Sequence, residues 1–143
     1  MATIKSYTDL QQSKKLVKIL PLESADMTYY ACVKDWRGNP VEPKWGKPVT
    51  LTKEELALPR SNFQEYEYLP CWSLAALLEQ LPYELCDDYG NSSYLEINKE
   101  NDVYQLVYTD PYGEFESIET DRCEHFVDAC VAMVIKIKEL NLL

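Results

Sequence analysis

The single histidine and a nearby cysteine are the first residues whose types could perform chemistry. His125 follows Cys123 by two positions, and Cys–His or Ser–His catalysis requires a nucleophile beside the imidazole. Side chains two positions apart on a helix point in different directions, so this pair would not face one substrate. We therefore expect no catalytic residue, and we interpret His125 as a surface residue of a first helical turn.

A second group of side chains at helical spacing raises the alternative of a cation site. Asp121, Glu124, His125 and Asp128 would share one helix face, and further oxygens from elsewhere could complete the shell of a divalent cation. The simpler interpretation is that Asp121 and Glu124 complement the positive end of the helix dipole. No paired cysteine or histidine spacing indicates zinc, and no glycine pattern indicates a phosphate loop. We expect neither a metal nor a cofactor.

Carboxylates are too abundant for one pair to indicate a general acid and base, so we favour a protein that is not an enzyme. The net charge is −10 over 143 residues, and it is unevenly distributed. Residues 1–83 carry ten acids and ten bases, whereas residues 84–128, the acidic segment, carry thirteen acids against Lys99 and Arg122. Nucleic-acid binding through counterion release requires clustered lysine and arginine, so we expect no direct nucleic-acid binding.

Part of the acidic segment is a candidate surface for a basic protein partner. Like charges this close together destabilise the folded chain, and solubility alone does not require so few compensating lysines. The alternative is a solvated face, because the outward positions of an antiparallel sheet are normally polar. The candidate partner-binding residues surround the last predicted turn and helix start: Asp110, Glu114, Glu116, Glu119, Asp121 and Glu124.

Length and composition indicate a single domain, residues 1–143, with a proline-rich loop at 37–50. No basic start followed by an apolar run indicates a signal peptide, and no apolar segment reaches the roughly 18 residues of a membrane span. Five cysteines without a CxxC spacing are typical of free thiols. We therefore expect a cytoplasmic protein without membrane contact, whose partner and oligomeric state the sequence leaves open.

Helical periodicity predicts helices near residues 9–20, 71–81 and 121–141, with Pro70 and Pro82 bounding the second. Capping boxes are predicted at Thr8–Gln11 and at Thr52–Glu55, the latter opening a further short helix.

Alternating side chains predict a strand within residues 25–36 and a three-stranded meander over residues 94–118, with a turn at Asp110–Gly113. Together these elements predict an α+β fold, an antiparallel sheet of about four strands with helices packed on one face. Trp72 is expected to be buried.

The stretch PCWSLAALLEQLP resembles a helix motif of small uncharacterised proteins encoded in Bacteroides-type prophages and mobile elements. The matching residues are Pro70, Trp72, Ser73, Leu74, Leu77, Leu78 and Pro82, and further similarity lies at Ser13, Ala25, Asp26, Met27 and in the closing helix. The resemblance implies no activity. It implies a small accessory protein of a phage or mobile element that acts by protein–protein contact. The alternative is an acidic inhibitor or nucleic-acid-mimicking decoy that binds a basic surface through residues 84–128.

Overall fold

The computed structural model describes residues 5–51, 55, 64–114 and 116–143, and the chain divides into two compact units. The sheet unit comprises residues 1–8 and 73–143, and the hairpin unit comprises residues 9–72. The described residues contain three α-helices and two antiparallel sheets, so the fold is α+β, as the sequence predicts. One domain over residues 1–143 stays a prediction.

The hairpin unit is built around two long antiparallel strands. Helix α1 spans Leu10–Leu16, a 3-10 turn follows at Leu22–Ser24, and strands β1, Met27–Lys34, and β2, Glu65–Cys71, pair with each other. The predicted alternation of β1 is confirmed at Tyr29 and Ala31, which are buried on one face. Trp72 is fully buried, and its indole N–H donates to Ser24 Oγ at 2.9 Å.

The sheet unit is a four-stranded meander with two helices. Strand β3 is Glu84–Cys86, β4 is Ser92–Glu100, β5 is Val103–Thr109 and β6 is Ile118–Glu119, in the spatial order β3-β4-β5-β6. The helices are α2, Leu74–Gln80, and α3, Phe126–Glu139. The predicted meander is confirmed, and its third predicted strand is reduced to the short β6; Phe115 lies outside the described residues.

Helix α3 buries seven side chains in the core of the sheet unit. Each of its fully buried side chains has a fully buried neighbour three or four positions away, the spacing of one helix face: Val127, Ala129, Cys130, Met133, Val134 and Ile137. The helix packs on β5, where Leu106 and Tyr108 are fully buried, and on α2. At the start of α3 the Phe126 ring lies 5.1 Å from that of Tyr104. The prediction of helices packed against a four-stranded sheet is confirmed.

The predicted start of the second helix is wrong. Pro70 lies inside β2, where it is paired with Thr28, and α2 begins at Leu74. Ser73 is the N-cap, and its hydroxyl accepts the Ala76 N–H at 3.2 Å. The proline was misassigned because it is tolerated both in a first helical turn and at the end of an edge strand, and its sequence context did not distinguish the two.

The predicted start of the third helix is also wrong. Helix α3 begins at Phe126 instead of Asp121, because Cys123 is paired with Tyr104 of β5 through hydrogen bonds of 2.7 and 2.8 Å. Backbone pairing with a strand far away in sequence outweighs the local capping signal of Asp121 and Glu124. Residues 118–123 therefore run along β5 as the edge of the sheet.

Smaller differences concern the other predicted elements. Helix α1 is shorter than residues 9–20, and its capping box is shifted by one position, with Asp9 and Gln12 in place of Thr8 and Gln11. The 37–50 loop is irregular, as predicted, and is tied to β1 by bridges at Pro40 and Val49. The second capping box lies outside the described residues, except for Glu55.

Two buried hydroxyls of the sheet unit differ in their hydrogen bonds, which leads to a prediction. Ser93 Oγ has no partner among the described residues, whereas Thr120 Oγ1 accepts the Leu106 N–H at 3.1 Å. A buried polar group without a partner costs about 1–3 kcal/mol. Ser93→Ala should therefore leave the free energy of unfolding unchanged or slightly higher, and Thr120→Val should lower it by about 1–3 kcal/mol.

Urea denaturation of both variants beside the parent measures these changes. A marked loss of stability in Ser93→Ala would show that this hydroxyl has a partner.

Candidate functional site

Three turns of the chain share one sequence pattern and one hydrogen-bond pattern. Their sequences are DWRGN at 35–39, DDYGN at 87–91 and DPYGE at 110–114. In each, the aspartate carboxylate accepts the backbone N–H groups of the third and fifth residues, at 2.8–2.9 Å. The fourth residue is a glycine with φ between +72° and +82°, a conformation that costs other residues energy. We call these loops the Asp-Gly turns.

The two Asp-Gly turns of the sheet unit lie at the same end of the sheet. Turn 87–91 joins β3 to β4, and turn 110–114 follows β5, beside the Tyr94–Thr109 pair. An open hollow of about 250 Å³ lies between them, lined by Gly90, Asn91, Ser92, Tyr94, Asp110, Tyr112 and Glu114. We call residues 87–94, 110–114 and 116 the turn surface.

The most exposed aromatic residues of the described chain lie on the turn surface. Tyr89 and Tyr112 occupy the third position of their turns, with 90% and 88% of their surface exposed. Neither side chain makes a hydrogen bond or ring contact within the described part of the chain. Neither tyrosine is among the candidate residues predicted from the sequence. The repeated Asp-x-Tyr-Gly spacing was the signal that could have identified them.

Among the six candidate carboxylates, Asp110 has a defined structural role. It is half-buried, and its two oxygens accept the N–H groups of Tyr112 and Glu114. Asp87 holds the neighbouring turn in the same way. Desolvation opposes its ionisation, but hydrogen bonds from the backbone and side chain of Asn91 and from the Tyr89 backbone outweigh it and keep the pKa of Asp87 below its ordinary value. Both aspartates stabilise turns while contributing negative charge.

The other five candidate carboxylates are exposed. Glu114 and Glu116 belong to the turn surface, and Glu119, Asp121 and Glu124 follow along the sheet edge. None of the five forms an ion pair within the residues that the structure describes. The structure thus arranges the candidates as one continuous stretch, from the turn surface to the start of α3.

The two bases of the acidic segment lie away from the turn surface, at the end of the sheet where Cys123 is paired with Tyr104. Lys99 and Arg122 line a hollow of about 500 Å³ near the β4–β5 hairpin, and Lys99 Nζ is 5.4 Å from the centroid of the Tyr104 ring. Neither forms an ion pair with a described acid. Lys136 of α3 borders the turn surface: it donates to the Glu119 carbonyl at 2.6 Å and shares a hollow with Asp87 and Glu116. The turn surface itself therefore contains no base, whereas Arg122 lies between the candidate acids Asp121 and Glu124.

The cation cluster considered from the sequence does not form on a helix. Because α3 begins at Phe126, Asp121 and Glu124 precede the helix and cannot share one of its faces with Asp128. Asp128 instead pairs with Lys5 at 2.6 Å. In the described ranges, no three His, Cys, Asp or Glu side chains lie close enough together to hold a metal ion.

The cysteine next to the histidine is not an activated nucleophile. Burial, followed by the charges of Asp128 and Asp121, raises the pKa of the Cys123 thiol. The thiolate is the reactive form of cysteine, so a raised pKa lowers reactivity at neutral pH. Deeper in the core, burial raises the pKa of the Cys130 thiol to about 12, and burial followed by the neighbouring Cys130 also raises the pKa of Tyr108.

These buried groups predict a decline of stability at alkaline pH. In the unfolded chain the Cys130 thiol ionises near its ordinary pKa of 9.0, whereas in the folded protein it stays protonated up to about 12. Between these values the unfolded state binds fewer protons, so the free energy of unfolding falls as the pH rises. Cys130→Ala should flatten this decline between about pH 8 and pH 10.5, as measured by urea denaturation.

Cys86→Ala, at an exposed thiol, is the matched control and should keep the slope of the parent. Equal slopes in the parent and in Cys130→Ala would contradict the prediction.

Comparisons with protein-family models, curated proteins and solved structures find no match to the chain. None of the described helices has both the length and the apolar composition needed to cross a membrane. The candidate site therefore depends on the chemistry of its own residues: an acidic, tyrosine-bearing end of a sheet that continues into an acidic edge.

Proposed function

We propose that the protein acts by protein–protein contact, as a small non-enzymatic accessory protein whose acidic segment docks on a basic surface of its partner. The observation that carries this proposal is that every charged residue of the turn surface is an acid: Asp87, Asp88, Asp110, Glu114 and Glu116. The five exposed candidate carboxylates make no ion pair among the described residues, and Lys99 and Arg122 lie away from the turn surface, near the β4–β5 hairpin.

A surface with charges of one sign creates a stronger electric field than a surface on which acids and bases alternate. Neighbouring charges of one sign add their potentials, which steers an oppositely charged protein during diffusion and suppresses encounters with acidic proteins. The price is self-repulsion within the folded chain. A surface that served only solubility would not require this repulsion, yet the turn surface contains no lysine or arginine that reduces it.

A purely structural role explains part of the acidic stretch. Charged side chains on an edge strand prevent its pairing with another chain, which accounts for Glu119 and Asp121. It does not account for Glu114 and Glu116, which belong to the turn surface and precede β6. These two residues are therefore the most informative ones for testing a contact.

The decoy is a narrower form of the same proposal. In that case the basic surface of the partner would be one that binds nucleic acid, and the acidic segment would compete with phosphates for it. The turn surface, whose charged residues are all acids, favours this version, and competition with nucleic acid for the captured partner distinguishes it. We further propose a role in a phage or mobile element, from the resemblance of the Trp72 motif, and a cytoplasmic location, which suits five free thiols.

Charge reversal on the turn surface and sheet edge tests the proposal. The triple variant Glu114→Lys, Glu116→Lys and Glu119→Lys should lose capture of the basic partner from host lysate, as identified by mass spectrometry. Capture by the parent should weaken steeply as salt rises, because screening sets in over about 10 Å at 0.1 M ionic strength.

The matched control reverses three exposed acids outside the acidic segment, Glu23, Glu42 and Glu79, and gives the same net charge. It should capture the partner as the parent does, and both triple variants should keep the circular dichroism spectrum of the parent. Equal capture by the parent and the Glu114–Glu119 variant, insensitive to salt, would contradict the proposal.

A further inference from the structure

We infer that the turn surface binds arginine side chains of the partner, with Tyr89 and Tyr112 as ring platforms and the neighbouring carboxylates as counter-charges. This inference rests on the proposed function, since it names the chemical group on the basic partner that the acidic segment receives. Unlike a general electrostatic attraction, such a contact requires two uncharged side chains, Tyr89 and Tyr112.

An Asp-Gly turn does not itself require a tyrosine. The aspartate carboxylate and the glycine conformation form the loop in all three cases. In the turn at 35–39 the third position is occupied by Arg37, and the hydrogen bonds are the same. The rings of Tyr89 and Tyr112 are therefore available for a role other than forming the turn.

The hairpin unit contains an example of the group that an aromatic ring on an Asp-Gly turn can bind. In the 35–39 turn, Arg37 Cζ lies 4.5 Å from the centroid of the Trp36 ring, within the roughly 6 Å of a cation–π contact. That turn supplies its own guanidinium. The rings of Tyr89 and Tyr112, in the turns at 87–91 and 110–114, are more exposed than the ring of Trp36. No cation lies over either tyrosine in the described chain.

The hollow between the turns has the size and the lining of a site for one side chain. Its volume of about 250 Å³ lies below the roughly 300–1,000 Å³ typical of sites for drug-sized ligands, so it suits a single side chain. Tyr112 provides an aromatic wall, and Glu114 and Asn91 provide oxygen acceptors. A planar guanidinium stacks on a ring and donates to a carboxylate at the same time, which an ammonium group does less well.

Charge selects among the remaining occupants. A second copy of the chain would bring the same acids against Glu114 and Glu116 and would be repelled. A saccharide also stacks on exposed tyrosines but, being neutral, gains nothing from these charges. An arginine-bearing segment uses both the rings and the carboxylates, and it is therefore the occupant we propose.

The test uses a blocked synthetic peptide of alternating arginine and glycine as the probe, titrated into the full chain by isothermal calorimetry. The double variant Tyr89→Ser and Tyr112→Ser should bind it roughly 5- to 30-fold more weakly than the parent. The double variant to phenylalanine keeps both rings and should bind within about twofold of the parent. Trp36→Ser removes an exposed aromatic side chain from the Asp-Gly turn at 35–39, which lies outside the turn surface, and it should not change the affinity.

The outcomes separate this inference from the proposed function. If the serine variant binds the peptide as the parent does while the Glu114–Glu119 charge reversal abolishes binding, the arginine site is overturned and the acidic contact stands. If neither variant changes binding, both are overturned. A matched peptide of alternating lysine and glycine should bind more weakly than the arginine peptide. Equal affinity for the two peptides, or binding of a neutral oligosaccharide such as cellohexaose in place of the arginine peptide, would also overturn the arginine site.

Discussion

Hydrogen bonds from backbone amides to an aspartate carboxylate determine how the acidic end of this protein is built. A carboxylate that accepts two N–H groups of its own loop stabilises that loop and keeps its negative charge. At Asp87 and Asp110 this interaction closes the turns that place β3, β4, β5 and the sheet edge. The same loops leave their third side chain outside the fold, where Tyr89 and Tyr112 lie almost fully exposed. Structure and candidate contact chemistry therefore come from the same five-residue pattern.

The acidic end depends on an apolar platform that tolerates its self-repulsion. Helix α3 buries one face against β5, and Tyr108 of that strand donates its hydroxyl to the Pro82 carbonyl at 2.5 Å. Burial of apolar side chains offsets the repulsion among the exposed acids, because surface ion pairs contribute little to stability. The described charges near the sheet edge include Lys136, which bonds to a backbone carbonyl, so its charge only partly offsets the carboxylates.

Elements with local signals were predictable from the sequence. The alternation of β4 and β5, the Asp110–Gly113 turn and the apolar period of α3 are set by neighbours within a few residues, and the structure contains each of them. The boundaries at Pro70 and Asp121 were not predictable, because they are set by pairing with β1 and β5, far away in sequence. The split into two sheets has the same cause: β1 pairs with β2, whose residues the sequence had partly assigned to a helix.

The candidate site was predictable in its charge but not in its shape. Counting acids identified Glu114, Glu116 and their neighbours, yet counting could not show that Lys99 and Arg122 lie away from the turn surface. It also could not distinguish Asp110, which holds a turn, from the exposed carboxylates beyond it. The Asp-x-Tyr-Gly repeat identifies the two turns in the sequence, but the exposure of their tyrosine rings is known only from the structure.

The central claim, that the turn surface is where an arginine-bearing partner binds, is tested most directly by mapping the contact residue by residue. We would record amide chemical shifts of the labelled protein during titration with the arginine–glycine peptide at low salt. The account predicts that the shifts concentrate in residues 87–94 and 110–116, continue weakly along 118–124, and disappear in the variant with serine at positions 89 and 112. Shifts that spread evenly over all acidic residues, or that centre on the Lys99–Arg122 end of the sheet, would contradict it.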